Sequence, residues 1–375
     1  MFKFINAIFI VSGTAIGAGL LALPLSCKDI GTISCLLLIM VTAWISYKTA
    51  CITLQLSHQL GMGTSIVELS RILSCRRTKY VTLISFYLLS FALLSVYACA
   101  TADMIRVFLN FQTPIPGFVI YSLLFYYLLK QHIHRICRVN SLFCSLLLLC
   151  IGYVLITIWN RSYDFVISSH FSSNLLFTLP ILFTSFGVQN VCPNVYNLLD
   201  GNVQKSQRAF LIGILIPTLI YFLWIFMVSN YLRNTDFQFF NQMIQGTVSP
   251  GMLVQKLCSV VGVSWMDTIF KLISLLAILT SAIGIGIGIC ISLQEEQTKI
   301  NPQILVVIIP CIVNLAFQNA FLKILSFGGA IATVFVIFIP IYLKRMKENI
   351  TLQDTLCCIF GLLVISVECI DMVLH

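Results

Sequence analysis

The chain repeatedly runs for more than twenty residues without a charge. Residues 4–27, 209–232 and 272–294 contain no Asp, Glu, Lys or Arg. A helix of about 20 apolar residues crosses the hydrocarbon core of a bilayer. No water reaches that core, so the backbone must satisfy its own hydrogen bonds there. Only 9% of the 375 residues are charged and 59% are hydrophobic, whereas a soluble domain is about a quarter charged. The pattern predicts an all-α polytopic membrane protein with no stretch polar enough for a soluble domain. Lys3 is the only early charge and the first apolar run continues past Pro24, so a cleavable signal peptide is not expected.

Cutting the sequence at its polar breaks gives eleven expected spans, near 4–26, 32–57, 80–109, 117–130, 141–159, 175–199, 209–231, 266–293, 303–320, 322–343 and 352–374. With the N-terminus in the cytoplasm, fourteen Lys and Arg fall on inner connections, among them Arg71, Arg76, Arg77, Lys79, Lys344, Arg345 and Lys347. Five fall outside: Lys28, Arg161, Arg233, Lys256 and Lys323. This bias follows the positive-inside rule and places the C-terminus on the outer side. It also accounts for the net charge of +9 without nucleic acid as a partner. Residues 232–265 form the longest outer connection. The turn at Thr247-Val248-Ser249-Pro250-Gly251 and the apolar run from Met252 to Val263 predict a helical hairpin there.

The fifteen cysteines lie mostly in apolar spans, where cysteine acts as a small hydrophobe. With no CxxC pair, neither a disulfide framework nor metal binding is expected. No Gly run precedes GK[ST] and none follows a strand, so nucleotide folds are not expected either.

The first span is poorly built as an anchor. Ser12-Gly13-Thr14-Ala15-Ile16-Gly17-Ala18-Gly19, followed by Pro24, puts three glycines at membrane depth, each costing about 1 kcal/mol against alanine in a helix. An unwound backbone is tolerated at that depth only where protein or a cavity covers it. The sixth span carries a second interruption, with Pro180, then Phe183-Thr184-Ser185-Phe186-Gly187, then Pro193. The two spans run in opposite directions. Interrupted helices at matching places in two halves mark an inverted-repeat transporter with a midplane site. One transporter domain over 1–375 is therefore expected, with repeats at about 4–159 and 175–343 and an extra helix at about 352–374. Half-helix N-termini hold a carboxylate, while freed carbonyls and hydroxyls hold an ammonium group. The breaks therefore suit a zwitterionic amino acid.

Val11-Ser12-Gly13-Thr14-Ala15-Ile16-Gly17-Ala18-Gly19-Leu20-Leu21-Ala22-Leu23-Pro24 and Leu179-Pro180-Ile181-Leu182-Phe183-Thr184-Ser185-Phe186-Gly187 resemble the first and sixth helices of the bacterial aromatic amino acid permeases. These form the tyrosine and tryptophan transporter family of the amino acid–polyamine–cation superfamily. Leu199-Asp200-Gly201-Asn202-Val203 resembles the tyrosine branch. Weaker matches occur at Tyr97, at Ser281, Gly284 and Gly288, and at Phe321-Leu322, Phe327, Gly329 and Pro340. The resemblance implies two inverted five-helix repeats plus an eleventh helix, and uptake of an aromatic amino acid by proton symport across the cytoplasmic membrane. The sequence departs from the family where an acidic residue becomes Gln55, an aromatic-His-Gly run becomes Val188-Gln189-Asn190, and a Phe-Asp-Tyr run becomes Cys290-Ile291-Ser292.

The expected substrate carboxylate site is Ala15, Gly17, Ala18 and Gly19. Phe183, Thr184, Ser185 and Phe186 are expected to hold the amino group and ring, and Tyr97 to close one wall. Asp103, Thr280 and Ser281 are the coupling candidates, with Asp103 and Arg106 spaced to pair on one helix face. Glu368 and Asp371 are expected to face the outer interface. No cofactor, metal or protein partner is called for. The function expected is secondary active transport of an aromatic amino acid, L-tyrosine in the first place. A non-transporting amino acid sensor on the same fold is the alternative. A membrane enzyme is disfavoured because no His, Asp and Glu cluster at one face.

Overall fold

A computed structural model describes residues 2–17, 19–60, 63–131, 133–161, 166–167, 173–261, 265–295, 301–317 and 321–374. Among them all regular structure is helical. In chain order the helices are α1 (Phe2–Ala15), α2 (Gly19–Ser26), α3 (Thr32–Gln59), α4 (Ile66–Leu73), α5 (Arg76–Phe108), α6 (Ile115–Leu129) and α7 (Ile133–Arg161). Then come α8 (Leu179–Ser185), α9 (Cys192–Leu198), α10 (Val203–Thr235), α11 (Phe237–Gln245), α12 (Pro250–Val261) and α13 (Met266–Glu295). The last are α14 (Pro302–Ala316), α15 (Phe321–Ala332), α16 (Ile339–Arg345) and α17 (Leu352–Leu374). A π turn at Thr333–Phe338 joins α15 to α16.

Eight segments among the described residues are long and apolar enough to cross a membrane, and nine if the bent pair α1–α2 counts as one. Two more of the eleven expected spans are short. Helices α6 and α14 have 15 residues each, about 22 Å at 1.5 Å per residue, less than a hydrocarbon core of about 30 Å. Prolines set their beginnings: Pro114 and Pro116 at α6, Pro302 at α14. Proline lacks the N–H that a helix interior needs and is tolerated in the first turn.

The most enclosed elements are the sixth span, α13, α5 and the α15–α16 segment, while α7 and α17 are mostly exposed. The exposed faces carry Leu, Ile and aromatic side chains such as Leu123, Leu149 and Leu362, a surface suited to lipid. The hairpin expected over 232–265 is present as α11 and α12. Asp236 caps α11 through the Phe239 N–H at 2.9 Å, and Gly246 ends it at φ 76°, the left-handed region open to glycine. Glu368 departs from expectation. It is 5% exposed, because the face of α17 that carries Phe360, Val364 and Glu368 turns toward α15 and α8.

Candidate functional site

The first span breaks where its glycines sit. α1 ends at Ala15, and α2 leaves Gly19 at 45° to it. The Gly17 N–H turns back to Ala15 O at 2.8 Å, a tight turn in place of a helical bond. This takes the Gly17 N–H away from Gly13 O, and side chains of other spans meet the carbonyls around the break. Ser281 Oγ of α13 lies 3.3 Å from both Gly13 O and Thr14 O. Tyr221 Oη of α10 donates to Ala15 O at 2.6 Å. Pro24 has no N–H, so Leu20 O lacks its helical donor. The Trp224 indole supplies one at 2.8 Å. At membrane depth such substitutes are what make a broken helix tolerable.

The second break follows the same logic from the opposite side. The Phe186 and Gly187 N–H groups bond Phe183 O and Thr184 O, both at 3.1 Å, so the helix tightens and stops. Phe186 O then accepts from Ser46 Oγ of α3 at 2.6 Å. The Gln189 amide nitrogen reaches Ser46 O at 3.3 Å and Thr49 Oγ1 at 2.9 Å. The second span thus serves the break in the sixth, and the seventh (α10) serves the break in the first.

The breaks touch each other. A Cβ on Gly19 would stand 2.7 Å from Ser185 Cβ and Oγ and 2.6 Å from Tyr221 Oη. Tyr221 Oη also lies 3.2 Å from Ser185 O, so one hydroxyl bridges both interruptions. A Cβ on Gly17 would stand 2.5 Å from Ser281 Oγ and 3.1 Å from Tyr97 Oη. Gly17, Gly19, Tyr97, Ser185 and Ser281 therefore come together. Ala18 lies outside the described residues. Phe186 packs edge-on against Tyr221 and Phe183 against Phe360 of α17.

Several expected hydroxyls are committed to their own helices. Thr184 Oγ1 lies 2.7 Å from Pro180 O and 3.1 Å from Leu325 O. Ser185 Oγ bonds Ile181 O at 2.8 Å. Thr280 Oγ1 bonds Leu276 O at 2.9 Å. Asp103 is away from the breaks, on α5 against the start of α12. Its carboxylate accepts from Arg106 at 2.7 Å and from the Gly251 N–H at 2.7 Å, so it anchors the first turn of α12.

Tyr221, Trp224, Ser46 and Thr49 carried no sequence signal, and neither did Tyr121. Tyr121 of α6 is 2% exposed and lies within electrostatic reach of Tyr97. Its hydroxyl has no hydrogen-bond partner among the described residues. Beside the breaks, Leu89, Leu93, Phe183, Thr184, Phe186 and Gln189 line a narrow cleft, closed in this structure to about the space of one water. Within it Gln189 Oε1 is a buried acceptor without a partner among the described residues.

Over residues 1–370 the sequence matches the tryptophan/tyrosine permease family. The chain belongs to that family. The permease is 28% identical to glutamine transporter 2 of Aliivibrio fischeri, covering 93% of this chain and 91% of the relative. It is 23% identical to tyrosine-specific transport system 1 of Haemophilus influenzae, covering 93% and 90%. Among solved structures, the permease superposes on Mhp1 in an inward-facing conformation with a TM-score of 0.64 at 12% identity, covering 98% of this chain and 88% of that one. It also superposes on the manganese transporter of Eremococcus coleocola with a TM-score of 0.63 at 12% identity, covering 98% and 86%. The permease therefore has a transporter fold with broken first and sixth helices. It is a multi-pass inner-membrane protein that transports amino acids, and it is not an enzyme.

Proposed function

We propose that the permease takes up L-tyrosine by proton symport, with one bundle of helices rocking against the other around the paired breaks. The observation that carries this reading is the contact of Gly19 with Ser185 under the shared Tyr221 hydroxyl. Two half-helix ends meet there without side-chain bulk between them. The first turn of α2, from Gly19, presents N–H groups to a substrate carboxylate, with Ala15, Gly17 and Ala18 shaping the approach. Carbonyls at the end of α8 receive the ammonium group. Tyr97 and Tyr121 close the wall opposite.

The adjoining cleft is closed here, and rocking of the bundle would open it to an aromatic ring between Leu89, Leu93, Phe183 and Phe186. Gln189 then supports tyrosine over phenylalanine. Its nitrogen is held by Ser46 and Thr49, which leaves Oε1 as an acceptor for a phenolic hydroxyl. A buried acceptor that the substrate must satisfy discriminates strongly against an analogue lacking the donor. The glutamine transporter of Aliivibrio fischeri supports a second reading, in which a carboxamide side chain meets the Gln189 and Asn190 amides.

Two repeats of five spans around this site, an extra eleventh span, a cytoplasmic N-terminus and an outer C-terminus complete the proposal. The test is uptake of labelled tyrosine into proteoliposomes under an imposed pH gradient, with tryptophan, phenylalanine and glutamine as competitors. Tyrosine should accumulate and compete best. Accumulation that survives collapse of the pH gradient would refute proton coupling, and glutamine as the strongest competitor would refute the aromatic assignment.

A further inference from the structure

The resting place of the proton is the open part of this mechanism, and the eleventh span holds an unusual group. Glu368 of α17 is 5% exposed and accepts a short hydrogen bond from Ser326 Oγ of α15. Apart from α16, whose Lys344 meets Asp354 at the opposite end of α17, the elements packed against α17 are α15, α8, the π turn at 333–338 and the turn at 173–178. Their only ionisable side chain is Lys323 of α15, which is exposed and makes no ion pair with Glu368. On α17 itself the charged neighbour is Asp371, one turn away and of the same sign. Asp103 and Asp354 differ. They pair with Arg106 and Lys344 respectively, each at 2.7 Å. Among the described residues Glu368 is a buried carboxylate with no cation to balance it. An acid inside a membrane protein that lacks a counter-charge marks a proton pathway.

Its surroundings connect it to the sixth span. Ser326 follows Leu325, whose carbonyl lies 3.1 Å from Thr184 Oγ1 just before the second break. Gly329, one helical turn on, allows α15 to touch the Pro180 backbone, since a Cβ there would stand 2.2 Å from Pro180 O. Two turns before Glu368 on the same face of α17, Phe360 meets Phe183 edge-on at 5.5 Å. The sixth span is thus held on two sides by the elements that Glu368 and Ser326 join.

We propose that Glu368 is the proton-binding residue of the permease, loading a proton from the outer side and passing its state to the second break through Ser326 and α15. In the charged state the carboxylate accepts from Ser326 and ties α17 to α15. Taking a proton from the outer solution gives a neutral acid that can donate instead. The Ser326 hydroxyl is then free to turn back to a carbonyl of its own helix, as mid-helix serines do. The proton leaves to the inner solution when the carboxylate re-forms.

This rests on the proton-symport reading, and the experiment separates the two. Glu368→Gln keeps an oxygen acceptor for Ser326 but cannot titrate. In proteoliposomes with a one-unit pH gradient, one proton per substrate supports about tenfold accumulation of labelled tyrosine, the equivalent of about 1.4 kcal/mol. The variant should show no accumulation above equilibration, yet exchange internal for external tyrosine at the wild-type rate. Glu368→Asp should restore part of the accumulation. Accumulation by Glu368→Gln equal to wild type would overturn the assignment. Loss of exchange together with accumulation would overturn it as well, since Glu368 would then be a packing element. Failure of the wild-type protein to respond to the gradient would instead remove the symport reading itself.

Discussion

Gly19→Ala adds one methyl group where the two broken helices meet. The new Cβ would stand 2.7 Å from Ser185 Cβ and Oγ and 2.6 Å from Tyr221 Oη. Ser185 Cβ is attached directly to the backbone of α8, and Tyr221 is held at Ala15 O at 2.6 Å, so neither can swing away freely. Overpacking of this kind costs about 1–3 kcal/mol. The gain of alanine over glycine applies to a helix interior, and Gly19 is the first residue of α2, so the penalty of about 1–3 kcal/mol is borne by the geometry of the site. At about 1.4 kcal/mol per tenfold, tyrosine affinity should fall about 5- to 150-fold. Gly284→Ala is the control, because no atom lies within 4 Å of its Cβ position. It should leave affinity unchanged and the protein no less stable. The assay is equilibrium binding of labelled tyrosine to purified protein, with melting temperature followed in parallel. Unchanged affinity in Gly19→Ala would refute the claim that the contact between the breaks shapes the site. So would an equal loss in Gly284→Ala.

Gly17→Leu places a branched side chain against Ser281 and Tyr97, and should abolish tyrosine binding while the protein still inserts, as read by binding and membrane fractionation. Trp224→Phe removes the donor to Leu20 O; the buried carbonyl left unpaired should cost about 1–3 kcal/mol, seen as a lower melting temperature. Cys75 is exposed at the start of α5, and the Thr78 hydroxyl beside it holds its thiol below the usual range, which favours the reactive thiolate. In a variant with Cys75 as its single cysteine, an impermeant maleimide should label inverted vesicles and spare intact cells. Labelling of intact cells would reverse the proposed orientation. In the α11–α12 hairpin, the Lys256 ammonium and the Phe239 N–H hold the Asp236 carboxyl below its ordinary value near 3.8. The stabilisation is therefore complete above that value and is lost as pH falls through the lower folded one. Protection factors in α11, taken against the intrinsic exchange rate at each pH, should fall on acidification below about pH 3.8 in the wild type, and Asp236→Asn should flatten that fall.

The breaks were legible because their causes are local. Glycine and proline weaken a helix wherever they stand, and Gly13 to Gly19 and Pro180 to Gly187 announce both interruptions. The partners of the breaks were not legible. Pro24 tells a reader that Leu20 O loses its donor, but nothing in the sequence says that Trp224, two hundred residues later, provides the replacement. The same holds for Tyr221 and Ser46, which look like ordinary span residues until α10 and α3 are placed against the first and sixth spans. Thr184 and Ser185 were legible as hydroxyls at a break. Their commitment to Pro180 O and Ile181 O depends on rotamers that residue type does not specify. Glu368 shows the limit most clearly. Its distance from the end of α17 suggested an outer interface, whereas its burial depends on which face of α17 turns to α15.

The most direct test is a structure of the permease with L-tyrosine bound. The substrate carboxylate should lie against residues 17–19 at the head of α2, and the ring in the cleft beside Phe183 and Phe186 with its hydroxyl toward Gln189. Tyrosine held elsewhere, with Gly19 and Ser185 still in contact and no substrate between the half-helices, would contradict the account.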